Sequence, residues 1–129
     1  MATIIGVTGV PMTPEQQKAL CAGVPKAVCD AFHLDINISS MMLMPSLPEE
    51  GYGPAAANQI TYFIYTAPNK PLDEKRALVK GVSEATRAVL GNIREKGECI
   101  VIFKEHADNN VGVDGVLRVD AKKNGTFKV

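Results

Sequence analysis

The chain has 129 residues, 46% of them hydrophobic and 22% charged, which suits one domain with a real core and leaves no room for a second. Fourteen basic and fourteen acidic side chains cancel, so no overall field draws nucleic acid or an anionic membrane, and neither is expected as a partner. The longest apolar runs, such as Met41 to Met44 and Ile100 to Phe103, are too short to cross a bilayer, and the start lacks a basic segment followed by a long apolar run, so a soluble, cytoplasmic protein is the expectation.

Thr3 to Thr8 is rich in β-branched residues and ends at Gly9, which predicts a strand followed by a turn. Thr13-Pro14-Glu15-Gln16 then offers a capping hydroxyl, a proline suited to the first helical position and a glutamine three residues after the cap. Leu20, Val24, Ala27, Val28 and Ala31 recur at helical steps, predicting a helix from about Pro14 to Phe32. Pro25 removes one of its hydrogen bonds, and a bend is expected before it. Ile38 to Met44 reads as a strand closed by Pro45 and Pro48, and Glu49 to Asn58 as a connection.

The grammar then repeats. A strand over Ile60 to Thr66 is followed by a turn through Pro68-Asn69-Lys70-Pro71 and by a helix from about Leu72 to Leu90 with Gly91 as its stop. Cys99 to Lys104 supplies a fourth strand. In the tail, Val116 to Val119 and Thr126 to Val129 flank Lys123-Asn124-Gly125, where Asn-Gly signals a hairpin.

The two halves share identities at one offset. Gly23, Val24 and Ala27 lie 58 residues before Gly81, Val82 and Ala85, and the same spacing pairs Thr3 with Thr61, Thr8 with Thr66, Ala19 with Ala77 and Leu20 with Leu78. Residues 1–129 are therefore expected to form a single domain of two pseudo-repeats, about 2–57 and 60–115, with a C-terminal hairpin tail. The fold class is α/β (α+β): β-α-β-β-α-β, a four-stranded sheet with two helices on one face and short strands after them. Apolar residues of both parities, among them Ile36, Ile38, Met42, Met44, Ile60, Tyr62, Ile100 and Ile102, predict strands buried on both faces, hence a covered far face.

Three stretches resemble the tautomerase superfamily, the group of 4-oxalocrotonate tautomerase and macrophage migration inhibitory factor. They are Gly9-Val10-Pro11-Met12-Thr13-Pro14-Glu15-Gln16-Gln17-Lys18, the run from Tyr65 to Val82, and Asn109-Asn110-Val111-Gly112-Val113-Asp114-Gly115. The resemblance covers roughly Ala2 to Gly115 and implies a double-length member assembled as a homotrimer, with active sites at the protomer edges and a small keto or enol carboxylic acid as substrate. It also implies an amino-terminal proline as the acid-base group, and here the chain departs: it reads Met1-Ala2-Thr3. The corresponding catalytic candidates are the amine of Met1, or of Ala2 if Met1 is removed, since an α-amine with a pKa of about 7.7 to 8.0 can act as a base or form an imine.

The resemblance further implies arginines that hold a substrate carboxylate. The turn after the first strand has Val10 and Met12, with no cation, whereas the turn after the third has Lys70, the substrate-binding candidate; a solvated turn lysine is the plainer alternative. The second-strand arginine is replaced near Met41 and Met42 in one copy and near Ile100 in the other. Tyr52-Gly53 matches an aromatic-glycine pair, so Tyr52 is the candidate wall of the pocket, or else a linker tyrosine packed on the sheet. Weak or altered activity is the expectation, with a catalytically inactive trimeric binding or scaffold protein as the alternative.

No metal site is read from the remaining residues. His33 and His106 stand far apart, Cys29 and His33 make only two potential ligands at a helix end, and Met41, Met42 and Met44 at strand spacing suit packing better than copper. Cys21, Cys29 and Cys99 show no paired motif and are read as reduced core residues. Glycine-rich phosphate loops are absent, and no cofactor is expected.

Overall fold

Strand β1 (Ala2–Thr8) turns alternate side chains into the core and to the opposite face, as a pleated strand must. Helix α1 (Pro14–Phe32) follows, opened by the predicted capping box: Gln16 N donates to Thr13 Oγ1 (3.2 Å) and Thr13 N to Gln16 Oε1 (2.9 Å). It closes at His33, whose left-handed conformation (φ 56°) lets the cap N–H reach the Cys29 carbonyl. Pro25 is buried within this helix and does not interrupt it. Asp35 accepts from Asn37 N (2.9 Å) and winds Ile36–Ile38 into a 3-10 turn, so strand β2 (Ser39–Met44) starts one residue later than Ile38.

Two further 3-10 turns, Glu49–Gly51 and Pro54–Asn58, lead to β3 (Ile60–Thr66), α2 (Leu72–Leu90) and β4 (Cys99–Glu105). The computed structural model describes residues 2–45, 47–92 and 99–123. Its main sheet has the order β2-β1-β3-β4, with β1 and β3 antiparallel at the centre and each edge strand parallel to its neighbour. Each parallel pair needs a crossover, and α1 and α2 supply them.

Both helices lie on one face. Leu20, Val24, Val28 and Phe32 of α1 and Leu78 and Val82 of α2 bury against Ile4, Ile60, Tyr62 and Ile64, each full burial stabilising by roughly 1.5–3 kcal/mol. Where the helices cross, a Cβ on Gly23 would stand 3.7 Å from Ala85 Cβ, and one on Gly81 would stand 3.4 Å from Ala27 Cβ. The repeated Gly and Ala thus meet reciprocally. In the same way β3 and α2 begin 58 residues after β1 and α1.

The C-terminal part differs from expectation. The hairpin is β5 (Gly112–Val113) with β6 (Val116–Leu117) around Asp114-Gly115, both at positive φ (52° and 82°), as a two-residue hairpin turn requires. The expected strand Val116 to Val119 is instead divided between β6 and a short helix α3 (Arg118–Lys123), and the expected turn at Asn124-Gly125 and strand Thr126 to Val129 lie outside the described residues. Asp108 anchors α3, its carboxylate 3.3 Å from Arg118 Nε and 2.8 Å from Lys122 Nζ.

The face away from the helices carries two apolar rows across all four strands, Met44-Val7-Thr61-Ile100 and Met42-Ile5-Phe63-Ile102, and a more polar one, Ser40-Thr3-Tyr65-Lys104. Met42, Met44 and Ile102 are 54%, 50% and 40% exposed in the protomer, more than a core position allows.

Candidate functional site

β1 and β2 begin at the same end of the sheet where β3 and β4 finish, so Ala2 pairs with Ser39 on one side and Thr66 on the other. Thr66 O accepts from His106 N (3.0 Å), and Thr8 O accepts from Leu47 N (3.1 Å). A strand residue directs both its backbone polar groups to one side, so Thr66 faces β4 and Ala2 faces β2, making Ala2–Thr66 the non-hydrogen-bonded kind of antiparallel pair, with its side chains close. Ala2 is fully buried on the helix side; Met1 lies outside the described residues.

Thr66 differs from its counterpart in the first half. Thr8 Oγ1 donates to Gln59 O (2.6 Å) and accepts from Val10 N (3.0 Å), tying β1 to the residue that precedes β3. The Thr66 hydroxyl, also buried, has no hydrogen-bond partner among the described residues. Leaving such a group unsatisfied costs about 1–3 kcal/mol, and the Ser39 hydroxyl, on the strand paired with Ala2, is in the same state.

Lys70 stands at this same end, in the turn that leaves β3, after Asn69 has reversed the chain at φ 67°. It is half-buried, its Nζ 5.1 Å above the centre of the Phe32 ring, and no carboxylate pairs with it among the described residues. The Phe32 ring lies 6.2 Å from that of Phe103, over which Lys75 Nζ sits at 5.4 Å while reaching Glu105 Oε1 at 2.8 Å. That hydrogen bond from Lys75 holds the Glu105 carboxyl below its ordinary value. One lysine of this aromatic-cation ladder is neutralised and the other, Lys70, is not.

Tyr52 is elsewhere. Its ring packs on Gly9, just beyond the far end of β1, where an added Cβ would come within 2.9 Å of the ring, so a side chain at position 9 and the Tyr52 ring exclude each other. The length of β1, roughly 20 Å, separates Tyr52 from Ala2 and Lys70. Tyr52 lines a hollow of about 460 Å³ with Glu49 and Pro54. A smaller hollow of about 380 Å³ flanks the C-terminal half of α1, beside Cys29, Leu34 and the Lys26–Asp30 ion pair (2.8 Å); Lys70 is not part of its lining.

The other residues weighed from the sequence take local roles. His33 caps α1, and Cys29 directs its thiol to Asp35 O (3.7 Å), with burial pushing that thiol's pKa up. Among the described residues no three His, Cys, Asp or Glu side chains gather as a metal site, and no helix is long and apolar enough to cross a membrane. Sequence reasoning missed Thr66 and Phe32. The signal for Thr66 was present in the 58-residue pairing with Thr8; that for Phe32 was not, because its contact with Lys70 is non-local.

No family profile matches the chain, nor does any curated protein. Solved structures do. The R7 fused 4-OT, an asymmetric trimer, superposes with a TM-score of 0.80 at 19% identity, covering 93% of this chain and 98% of that one. Malonate semialdehyde decarboxylase gives a TM-score of 0.75 at 18% identity over 98% of this chain and 99% of its own. A macrophage migration inhibitory factor-like protein from Entamoeba histolytica gives 0.74 at 16%, over 90% and 97%. At such identities the likeness is one of architecture, and the architecture of this chain is the tautomerase-superfamily fold.

Proposed function

We propose that the protein is a tautomerase-like enzyme acting on a small keto or enol carboxylic acid, with weak or altered activity because the terminal proline and the arginines are replaced. The single observation that carries this reading is Lys70: a half-buried cation without an acidic partner among the described residues, at the end of the sheet where β1 begins. It would orient the substrate carboxylate, less tightly than the two-pronged grip of an arginine. The terminal amine, of Met1 or after its removal of Ala2, would move the proton or form an imine. Support comes from Thr66, whose hydroxyl lacks a partner among the described residues and stands beside the start of β1, where it can hold an amine or the water that solvates it. Tyr52, too distant within one protomer, would wall the pocket of a neighbour in a homotrimer.

Ketonisation of phenylenolpyruvate tests the reading. Lys70→Ala is expected to raise KM about one to two orders of magnitude, the loss of one charge-assisted hydrogen bond, with the assembly unchanged. Placing proline at position 2, in a chain processed to expose it, should raise the rate strongly. A second reading, a binding or scaffold protein without catalysis, is favoured by the complete burial of Ala2. It prevails if the Ala2→Pro chain gains nothing and Lys70→Ala leaves anion binding unchanged.

A further inference from the structure

Glu105 ends β4 opposite the last residue of β3: it pairs with Thr66, whose carbonyl accepts from His106 N at 3.0 Å. Residues paired across neighbouring strands project to the same face, so the Glu105 side chain shares the helix side with Thr66 and Ala2. There its carboxylate takes two hydrogen bonds, one from Lys75 Nζ in the first turn of α2 (2.8 Å) and one from the backbone N–H of Asn69. A single side chain of β4 thus holds the chain on both sides of Lys70.

That segment needs a hold. Asn69 stands at φ 67°, a left-handed conformation that a residue with a Cβ enters at a cost and that surrounding contacts must maintain. Helix α2 is capped by Pro71 with no side-chain hydrogen bond, whereas α1 is opened by the capping box of Thr13 and Gln16. Local sequence therefore secures the junction of β1 with α1. The junction of β3 with α2 depends instead on a side chain 30 positions beyond Lys75.

The comparison between the two halves points the same way. At the 58-residue offset, Asn69, Lys70 and Lys75 correspond to Pro11, Met12 and Gln17, and the position that continues the β1–β2 register to Thr8 is Pro45. Pro11 has no N–H to donate, Gln17 turns its Nε2 to Met12 O (3.4 Å), and Pro45 has no carboxylate to receive either. The half that lacks the cation also lacks the clamp.

We infer that Glu105 is a positioning residue: it fixes the turn between β3 and α2 so that the Lys70 ammonium stays over Phe32 at the terminus end of the sheet. It acts through Lys70 and not on the substrate, its own carboxylate being engaged by Asn69 and Lys75. The use made of that position rests on the reading of Lys70 as the anchor of a substrate carboxylate.

NMR of the full chain in its solution assembly tests the placement without any need of catalysis. The Phe32 ring current should displace the side-chain CH2 resonances of Lys70 in the parent, and Glu105→Ala should return them to unstructured values. In the same variant the Asn69 amide proton should exchange faster by about tenfold or more, the loss of a hydrogen bond to a charged acceptor. Glu105→Gln, which keeps an acceptor oxygen, should preserve most of both signals, with circular dichroism confirming that each variant is folded. In phenylenolpyruvate ketonisation Glu105→Ala should raise KM by about tenfold with kcat changed by less than about twofold, the signature of lost uniform binding. It should add little to Lys70→Ala, because the two substitutions act through one group. Lys70 and Asn69 signals that do not change in Glu105→Ala overturn the inference whether or not the protein is an enzyme, and so does full additivity with Lys70→Ala. Release of Lys70 in a chain whose KM does not change, or which has no turnover, upholds the clamp and removes the functional reading.

Discussion

At the scale of single residues, the terminus end of the sheet holds two lysines in similar surroundings and opposite states. Lys75 and Lys70 both lie over phenylalanine rings, yet among the described residues only Lys75 has a carboxylate. Glu105 records this in its depressed pKa, caused first by the Lys75 hydrogen bond. A carboxyl whose folded pKa is depressed contributes stability that is present above its unfolded pKa and is lost as pH falls through the folded value. Glu105→Gln should therefore lower Tm at neutral pH, and the difference from the parent should shrink as the pH is taken below about 4. A Tm gap that persists undiminished at about pH 2 would show that the Lys75–Glu105 contact is not ionic.

At the scale of elements, the α1–α2 crossing carries the mark of the repeat. Gly23 faces Ala85 and Gly81 faces Ala27, but with different room: 3.7 Å for a new Cβ at Gly23, 3.4 Å at Gly81. Gly23→Ala needs only ordinary contact and removes the helix penalty of glycine, so it should stabilise by up to about 0.8–1 kcal/mol. Gly81→Leu has to push the helices apart and should cost about 1–3 kcal/mol. Denaturant unfolding of the two variants checks the pair, and a destabilised Gly23→Ala would mean that the crossing is tighter than these distances allow. Beneath the crossing Tyr62 Oη and Thr86 Oγ1 share a buried hydrogen bond of 2.9 Å, and burial of Tyr62 drives its pKa far up; the pair ties β3 to α2 and is part of the scaffold, not of the candidate site.

At the scale of the whole molecule, the far face of the sheet decides the assembly. Its rows Met44-Val7-Thr61-Ile100 and Met42-Ile5-Phe63-Ile102 make an apolar surface of the sort that marks an interaction site. The R7 fused 4-OT with this fold is itself a trimer. We expect a homotrimer by light scattering, with three sheets around a common axis, and a Met42→Lys, Ile102→Lys double variant that dissociates while keeping its helix content. A parent chain that stays monomeric at micromolar concentration would reject the trimer, and with it the only means of bringing a Tyr52 to Ala2 and Lys70.

The sequence by itself determined the elements and their order. Both long helices match their predicted limits, Pro14–Phe32 and Leu72–Leu90, and β3 matches Ile60–Thr66, because apolar spacing, the Thr13 cap and the Gly91 stop act within a few residues of chain. The hairpin at Asp114-Gly115 was missed by that same local reasoning, which ran Val116 to Val119 into one strand: the turn depends on flanking residues that can pair across it, here Gly112–Val113 with Val116–Leu117. Only the tertiary structure decided that Lys70 rests on Phe32, that the Thr66 hydroxyl lacks the partner Thr8 enjoys, and that Tyr52 lies at the opposite end from Ala2. These relations join residues dozens of positions apart, so they arise from how strands pair and helices cross, and no periodicity along the chain encodes them.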